Sequence, residues 1–178
     1  MILKTIICFI GITGLLLAQE KDTGDVWEHF RFFEGEWSGE ETGKAGIGKG
    51  ERTVEFIMQD KYLFYKNISR FEPQEKNPKG ETHEDWTFFS YDNNRQAYIL
   101  REFHSEGFVN QYILDSLSED NKTFIYTSEL IENAPSGMRA RVTFSILNEN
   151  KFREIFEMAF PGKEFSIWLE NIWTRRYK

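Results

Sequence analysis

The sequence is poor in cysteine, and none of it falls in the part of the chain expected to fold. Cys8 is the only cysteine among 178 residues. Disulfides therefore cannot stabilise the fold, and the core alone must do so. Beyond residue 18 the chain also lacks any long apolar run, which argues against a membrane span in the mature protein.

Positive charge is scarce as well. Without the first 18 residues, which contain Lys4, 21 basic residues stand against 29 acidic ones, a net charge of −8. No basic stripe interrupts this acidic chain. Such a surface repels phosphate backbones, so nucleic acid is excluded as an expected partner.

Residues 1–18 have the layout of a secretory signal peptide. Lys4 provides a basic start, Thr5–Leu17 an apolar run, and Ala18 a small residue at the cleavage point before Gln19. A retained membrane anchor is the alternative, but the run is short for a bilayer. We expect cleavage after Ala18, a secreted or periplasmic location, and a single domain over residues 19–178.

Aromatic residues and two-residue periodicity are what the sequence has in plenty. The chain contains 17 Phe, 7 Tyr and 5 Trp, residue types that favour strands. Asp25–Phe33 has helical spacing and predicts one or two turns that plug one end of a larger structure. After it the alternation indicates strands. The predicted strands are Glu36–Thr42, Glu51–Met58, Tyr62–Phe71, Thr82–Tyr91, Ala97–His104, Phe108–Asp115, Thr123–Ile131, Met138–Leu147, Lys151–Ala159 and Phe165–Arg176.

Most connections between these stretches have hairpin length, which favours antiparallel pairing in sequence order. A flat meander of ten strands would expose two edges, and closing the sheet removes both. The sequence therefore predicts an all-β fold: an up-and-down antiparallel barrel of about ten strands with a short N-terminal helix. A two-sheet sandwich is the alternative.

The segment Gly35-Glu36-Trp37, after a short helix and at the start of the first strand, resembles the calycins, the group of lipocalins and fatty-acid-binding proteins. The resemblance implies that a basic residue near the end of the last strand, Arg175 or Arg176, packs over Trp37. The layout is most similar to the ten-stranded nitrobindin-like haem-binding barrels. That family has its haem-ligating histidine just before the leucine that matches Leu169, where this chain has Ile167-Trp168. An indole cannot ligate iron, so haem is not expected, nor any other cofactor.

Signatures of common enzymes are absent. The sequence has no Gly-x-Ser-x-Gly, no phosphate loop and no cysteine nucleophile in the mature chain. Gly46-x-Gly48-x-Gly50 is interpreted as a flexible hairpin loop. The three histidines, His29, His83 and His104, form no His-x-His or His-x₃-His pair, so no metal site is predicted.

Several predicted strands carry ionisable and apolar residues on the same face, as Tyr98–His104 does. Barrels that enclose a ligand place a few polar groups inside, whereas bulges or solvated barrel ends would give the same pattern. The pocket candidates are aromatic or ionisable residues within strands. They are Phe56, Tyr65, Trp86, Tyr98, Arg101, Glu102, His104, Tyr112, Tyr126, Phe144, Glu154, Phe156 and Trp168.

The function predicted from these patterns is binding of a small, mainly hydrophobic molecule inside an exported barrel. One alternative is haem or porphyrin binding through another ligand such as His104. A second is an acid–base enzyme that uses Glu102 or Glu154, and a third is a structural or interaction module. The sequence leaves the ligand, the inward face of each strand and the oligomeric state open.

Overall fold

A computed structural model describes residues 24–177, and the predicted signal peptide lies outside them. A 3₁₀ helix, Glu28–Phe33, precedes ten strands. Among the described residues, no helix has the length and apolar character needed to cross a bilayer. The strands are β1 (Gly35–Gly43), β2 (Gly46–Ile57), β3 (Tyr62–Phe71), β4 (Glu81–Asp92), β5 (Ala97–His104), β6 (Val109–Leu117), β7 (Thr123–Glu132), β8 (Arg139–Asn148), β9 (Lys151–Ala159) and β10 (Ser166–Arg175).

The ten strands form one closed antiparallel barrel in sequence order, which confirms the predicted fold class. Each strand pairs with its neighbours in the chain, and β1 also pairs with β10. At that closure Trp37 lies opposite Arg175, and Gly39 lies opposite Trp173. Because every strand has two partners, the barrel has no free edge and the sandwich alternative is excluded.

The glycines after β1 belong to a strand, and the prediction of a flexible loop there was wrong. β2 begins at Gly46, and Gly39 and Gly50 are cross-strand partners that face the interior. A Cβ on Gly39 would lie 2.7 Å from the Trp173 ring, and one on Gly50 would lie 2.5 Å from it. These glycines thus leave room for a buried indole.

The 3₁₀ helix closes one end of the barrel. The Asp25 carboxylate accepts a hydrogen bond from the Trp27 backbone N–H at 2.9 Å, at the point where the chain turns into the helix. The helix residues Phe30 and Phe33 are buried against the barrel interior. The indole N–H of Trp37 donates to the Phe33 carbonyl at 2.8 Å, which fixes the helix to the start of β1.

Arg175 is the arginine that packs over Trp37. Its guanidinium carbon lies 4.2 Å from the Trp37 ring centroid. The same group donates hydrogen bonds to the backbone carbonyls of Phe32 and Glu34, at 2.5 and 2.6 Å. Arg176 instead faces outward, 3.7 Å from Glu51. The last strand is thereby joined to the helix and to the start of β1 at the helix end of the barrel.

Candidate functional site

The barrel interior divides into two halves of opposite chemistry. The half beneath the helix, called the aromatic half, is filled by rings, whereas the half at the opposite end, called the polar half, carries charged and amide side chains. The division follows from the inward faces of the strands: β5, for example, places Tyr98 and Leu100 toward the helix and Glu102 and His104 toward the other end. The polar half comprises Glu41, Arg52, Asn67, Ser69, Asp85, Glu102, His104, Asn110, Tyr112, Glu154 and Asn171.

The aromatic half is closely packed. Phe30 contacts Tyr98 and Phe124 at centroid distances of 4.7 and 5.1 Å, and Phe33 contacts Phe152 at 5.2 Å. The cavity left among these rings measures about 20 Å³, roughly the space of one water molecule. A hydrophobic ligand of the predicted kind does not fit there in this conformation.

A buried ion pair lies where the two halves meet. Arg52 on β2 donates to the Glu154 carboxylate on β9 at 2.9 Å, and both side chains are less than 10% exposed. The guanidinium is held between two aromatic faces, 4.1 Å from the centroids of Tyr65 and Trp173. Glu154 also accepts the indole N–H of Trp173 at 2.6 Å. Such a pair is tolerated in a core only when this many contacts replace water.

Glu41 on β1 is a fully buried carboxyl group with only one oxygen engaged. Ser69 donates to its Oε1 at 2.7 Å, and Asn67 donates in turn to the Ser69 hydroxyl at 3.0 Å. Burial raises the pKa of Glu41 to about 7. Near neutral pH this group can therefore accept or release a proton.

A second polar chain centres on His104. Its Nδ1 lies 2.8 Å from Asp85 and its Nε2 lies 3.4 Å from Glu102. Tyr65 donates to Glu102 at 2.9 Å, and the Asn110 amide lies 2.9 Å from the His104 Nε2. Adjacent strands create this cluster, because Asp85 and His104 are direct cross-strand partners.

The negative charge of Glu102 and the positive charge of His104 stabilise each other. Burial by itself would raise the pKa of Glu102, but the positive His104 and the hydrogen bonds to Glu102 outweigh burial and lower it. Burial likewise opposes the charged form of His104, while Glu102 and Asp85 raise its pKa. The pKa values of Glu102 and His104 are thus shifted in opposite directions, and each group favours the charged form of the other.

Three acceptor oxygens in the polar half have no hydrogen-bond partner among the described residues. They are Glu41 Oε2, Asn110 Oδ1 and Asn171 Oδ1. The region is also within reach of solvent, because the side chains of Asp85 and His104 are 16% and 19% exposed. A buried acceptor without a donor costs free energy, and these oxygens are therefore open to hydrogen bonds from water or from a bound molecule.

Ten of the thirteen pocket candidates face the barrel interior. Those in the aromatic half are Phe56, Tyr98, Tyr126 and Phe144, and those in the polar half or at its boundary are Tyr65, Glu102, His104, Tyr112, Glu154 and Phe156. Hydrogen bonds join Tyr65, Tyr112 and His104 to Glu102. Glu102 and Glu154, the acids of the enzyme alternative, are both held by donors.

The remaining three candidates lie outside the interior, contrary to the prediction. Trp86 and Arg101 have the opposite strand parity to the buried residues Thr87 and Leu100, and Trp86 is 47% exposed and contacts Lys66. Trp168 sits in a β-bulge between β9 and β10 and is 37% exposed. Aromatic character alone does not show which face of a strand a residue occupies.

Sequence reasoning missed Glu41, Arg52, Asn67 and Asn171. A signal for the first was present, because Glu41 shares the strand parity of Trp37, the aromatic residue of the Gly35-Glu36-Trp37 segment. Arg52 is the cross-strand partner of Trp37, but that register is not visible in the sequence. Asn67 and Asn171 carried no comparable signal.

Comparison with known proteins supports the fold. No protein-family model and no curated protein matches the chain. Among solved structures, the crystal structure of Rv2717c from M. tuberculosis matches with a TM-score of 0.65 at 15% sequence identity. The match covers 86% of this chain and 99% of that one. At this identity the likeness shows a shared barrel fold and nothing about the ligand.

Proposed function

We propose that this protein is a binding barrel whose ligand enters the polar half from the end opposite the helix. The observation that carries the proposal is the chain of buried polar side chains from Glu41 to Glu102, which solvent can reach and which leaves acceptor oxygens unpaired. A barrel that had only to fold would fill this half with apolar side chains.

The ligand's expected chemistry differs from the prediction made from sequence. The aromatic half has space for about one water, so a mainly hydrophobic molecule has no place beneath the helix. In the polar half the two unpaired amide oxygens are acceptors, the unpaired Glu41 Oε2 accepts when the carboxyl is ionised, and Arg52 is already engaged by Glu154. The arrangement favours a small molecule with a donor-bearing head, such as an amine or a polyol.

Haem binding through His104 gains no support from this geometry. A porphyrin needs a broad apolar slot beside its axial ligand, and His104 is instead surrounded by Asp85, Glu102 and Asn110.

Native mass spectrometry of the protein purified from its own source organism tests the proposal. We expect a bound small molecule that is lost in Asn110→Leu, which removes an unpaired acceptor. The matched control is Gln111→Leu, which changes the adjacent outward-facing residue and should retain the ligand. The absence of any bound mass, or equal retention in both variants, would contradict a ligand site in the polar half.

Export remains part of the proposal and rests on residues 1–18. Measurement of the intact mass of the same purified protein tests it, because cleavage after Ala18 leaves a chain that begins at Gln19. A chain that retains residues 1–18 would contradict it.

A further inference from the structure

Two histidine–acid pairs meet at the open end of the polar half. His83 and Asp85 lie two residues apart on the inward face of β4, while His104 ends β5 and Glu106 follows in the turn to β6. Asp85 is the cross-strand partner of His104. The backbone N–H of Ser105 continues the ladder to the Glu84 carbonyl at 2.9 Å, so the turn that carries Glu106 is held against β4.

The donor atoms of this cluster are close enough to share one ion. Asp85, His104 and Glu106 each place a donor atom within 4.8 Å of the other two. The distance from His104 Nδ1 to Asp85 Oδ1 is 2.8 Å, and His83 Nδ1 contacts Glu106. In a tetrahedral zinc site with bonds of about 2.0–2.1 Å, donor atoms stand roughly 3.3 Å apart. Asp85, His104 and Glu106 are already near that spacing, and His83 adjoins them through its contact with Glu106.

Both imidazoles have the same arrangement of neighbours. The Nδ1 of each faces a carboxylate of the cluster, while its Nε2 faces a further carboxylate: Glu81 at 3.3 Å from His83, and Glu102 at 3.4 Å from His104. Metal-ligating histidines usually donate their second N–H to such a group, which fixes the ring orientation. Glu102 is itself held by the Tyr65 hydroxyl at 2.9 Å.

We propose that His83, Asp85, His104 and Glu106 bind one divalent transition-metal ion of the zinc type. Two imidazoles with two carboxylates suit Zn²⁺, whereas Ca²⁺ and Mg²⁺ prefer oxygen ligands alone. The four side chains are 16–38% exposed, so an ion can enter from solvent. Binding displaces the proton on each Nδ1. The site does not require an organic ligand deeper in the barrel.

The test is calorimetric titration of the metal-stripped protein with ZnCl₂. We expect one Zn²⁺ per chain, and we expect His83→Gln and His104→Gln each to weaken binding by about tenfold or more. His29→Gln is the matched control, because His29 lies on the helix at the opposite end of the barrel and its loss should leave the affinity unchanged. CaCl₂ in equal excess should not compete.

Glu106→Gln keeps the test decisive if His104→Gln fails to fold. Glu106 lies in an exposed turn, so this variant leaves the interior intact and should also weaken Zn²⁺ binding, with circular dichroism verifying the fold. The proposal fails if Zn²⁺ shows no saturable binding, or if His83→Gln and Glu106→Gln bind it like the parent protein. It also fails if His29→Gln loses Zn²⁺ binding or if Ca²⁺ displaces Zn²⁺. Failure here leaves the mass-spectrometric test of the interior ligand unaffected.

Discussion

The two halves of the barrel interior bury their side chains by different physical means. In the aromatic half, rings from the helix and the strands exclude water, and almost any close packing of apolar groups stabilises the fold. In the polar half each buried atom needs a partner of the right kind and direction. The stability of the aromatic half therefore depends on how well its volume is filled. The stability of the polar half depends on the geometry of individual hydrogen bonds.

This difference is the reason for placing the proposed ligand site in the polar half. An unpaired buried acceptor costs about 1–3 kcal/mol, and the polar half contains such acceptors on Glu41, Asn110 and Asn171. The aromatic half leaves a cavity of only about 20 Å³. Among the described residues the aromatic half leaves one polar atom unpaired, the Tyr126 hydroxyl, whereas the polar half leaves three.

The largest expected effect belongs to the aromatic half. Phe30→Ala removes a ring that contacts Tyr98 and Phe124, so the free energy of unfolding should fall by about 4 kcal/mol. Urea denaturation measures it. Glu28→Ala, on the same helix but exposed, should change stability by less than about 0.5 kcal/mol. Comparable losses in the two variants would show that the helix does not plug the barrel as described.

Arg52→Met tests whether the stability of the polar half depends on paired charges and hydrogen bonds rather than on filled volume. The change leaves Glu154 buried without its cation, and we expect a loss of about 3 kcal/mol in the free energy of unfolding. The double variant Arg52→Met/Glu154→Met removes both charges and should be more stable than the single one. If the double variant is no more stable, the ion pair is not the main contribution of these residues.

Glu41→Gln tests whether the polar half makes the stability of the barrel depend on pH. The Glu41 carboxyl has an ordinary pKa of 4.5 in the unfolded chain, but its pKa in the fold is about 7. Between these values the folded protein holds a proton that the unfolded chain has lost, so the carboxyl's contribution to stability falls as pH rises and levels off above pH 7. Relative to the parent protein, Glu41→Gln should therefore gain about 3 kcal/mol from pH 4 to pH 8.

Urea denaturation of the parent and of Glu41→Gln at each pH measures this difference. The control is Glu40→Gln, which changes the exposed neighbour on the outer face and should give a difference that does not vary with pH. A constant difference for Glu41→Gln as well would mean that Glu41 is not held in the protonated form.

The barrel could be predicted from the sequence because its signals are local. Alternation such as that from Met138 to Leu147 is visible within ten residues, and hairpin-length turns restrict each strand to its neighbour. The start of β2 was missed because Gly46, Gly48 and Gly50 resemble a loop. Only the Trp173 ring, distant in the sequence, explains why glycine is needed at Gly39 and Gly50.

The candidate site was only partly predictable because it depends on register between strands. Glu102 and His104 were found from the mixed chemistry of their own strand, whereas the pairing of Arg52 with Glu154 joins residues far apart in the sequence. The histidine–acid cluster was missed for the same reason. Its members follow no His-x-His spacing, and they meet only because Asp85 and His104 face each other across two strands.

The smallest expected effect lies at the closure of the chain, where the aromatic half is joined to its helix. Arg175→Lys keeps the charge but loses the planar group that lies over Trp37 and donates to the carbonyls of Phe32 and Glu34. We expect a loss of about 1 kcal/mol in the free energy of unfolding. Arg176→Lys, at the neighbouring exposed position, should change it by much less, because surface ion pairs contribute little. Equal effects would mean that the guanidinium over Trp37 contributes only its charge, and that the aromatic half is closed by the rings alone.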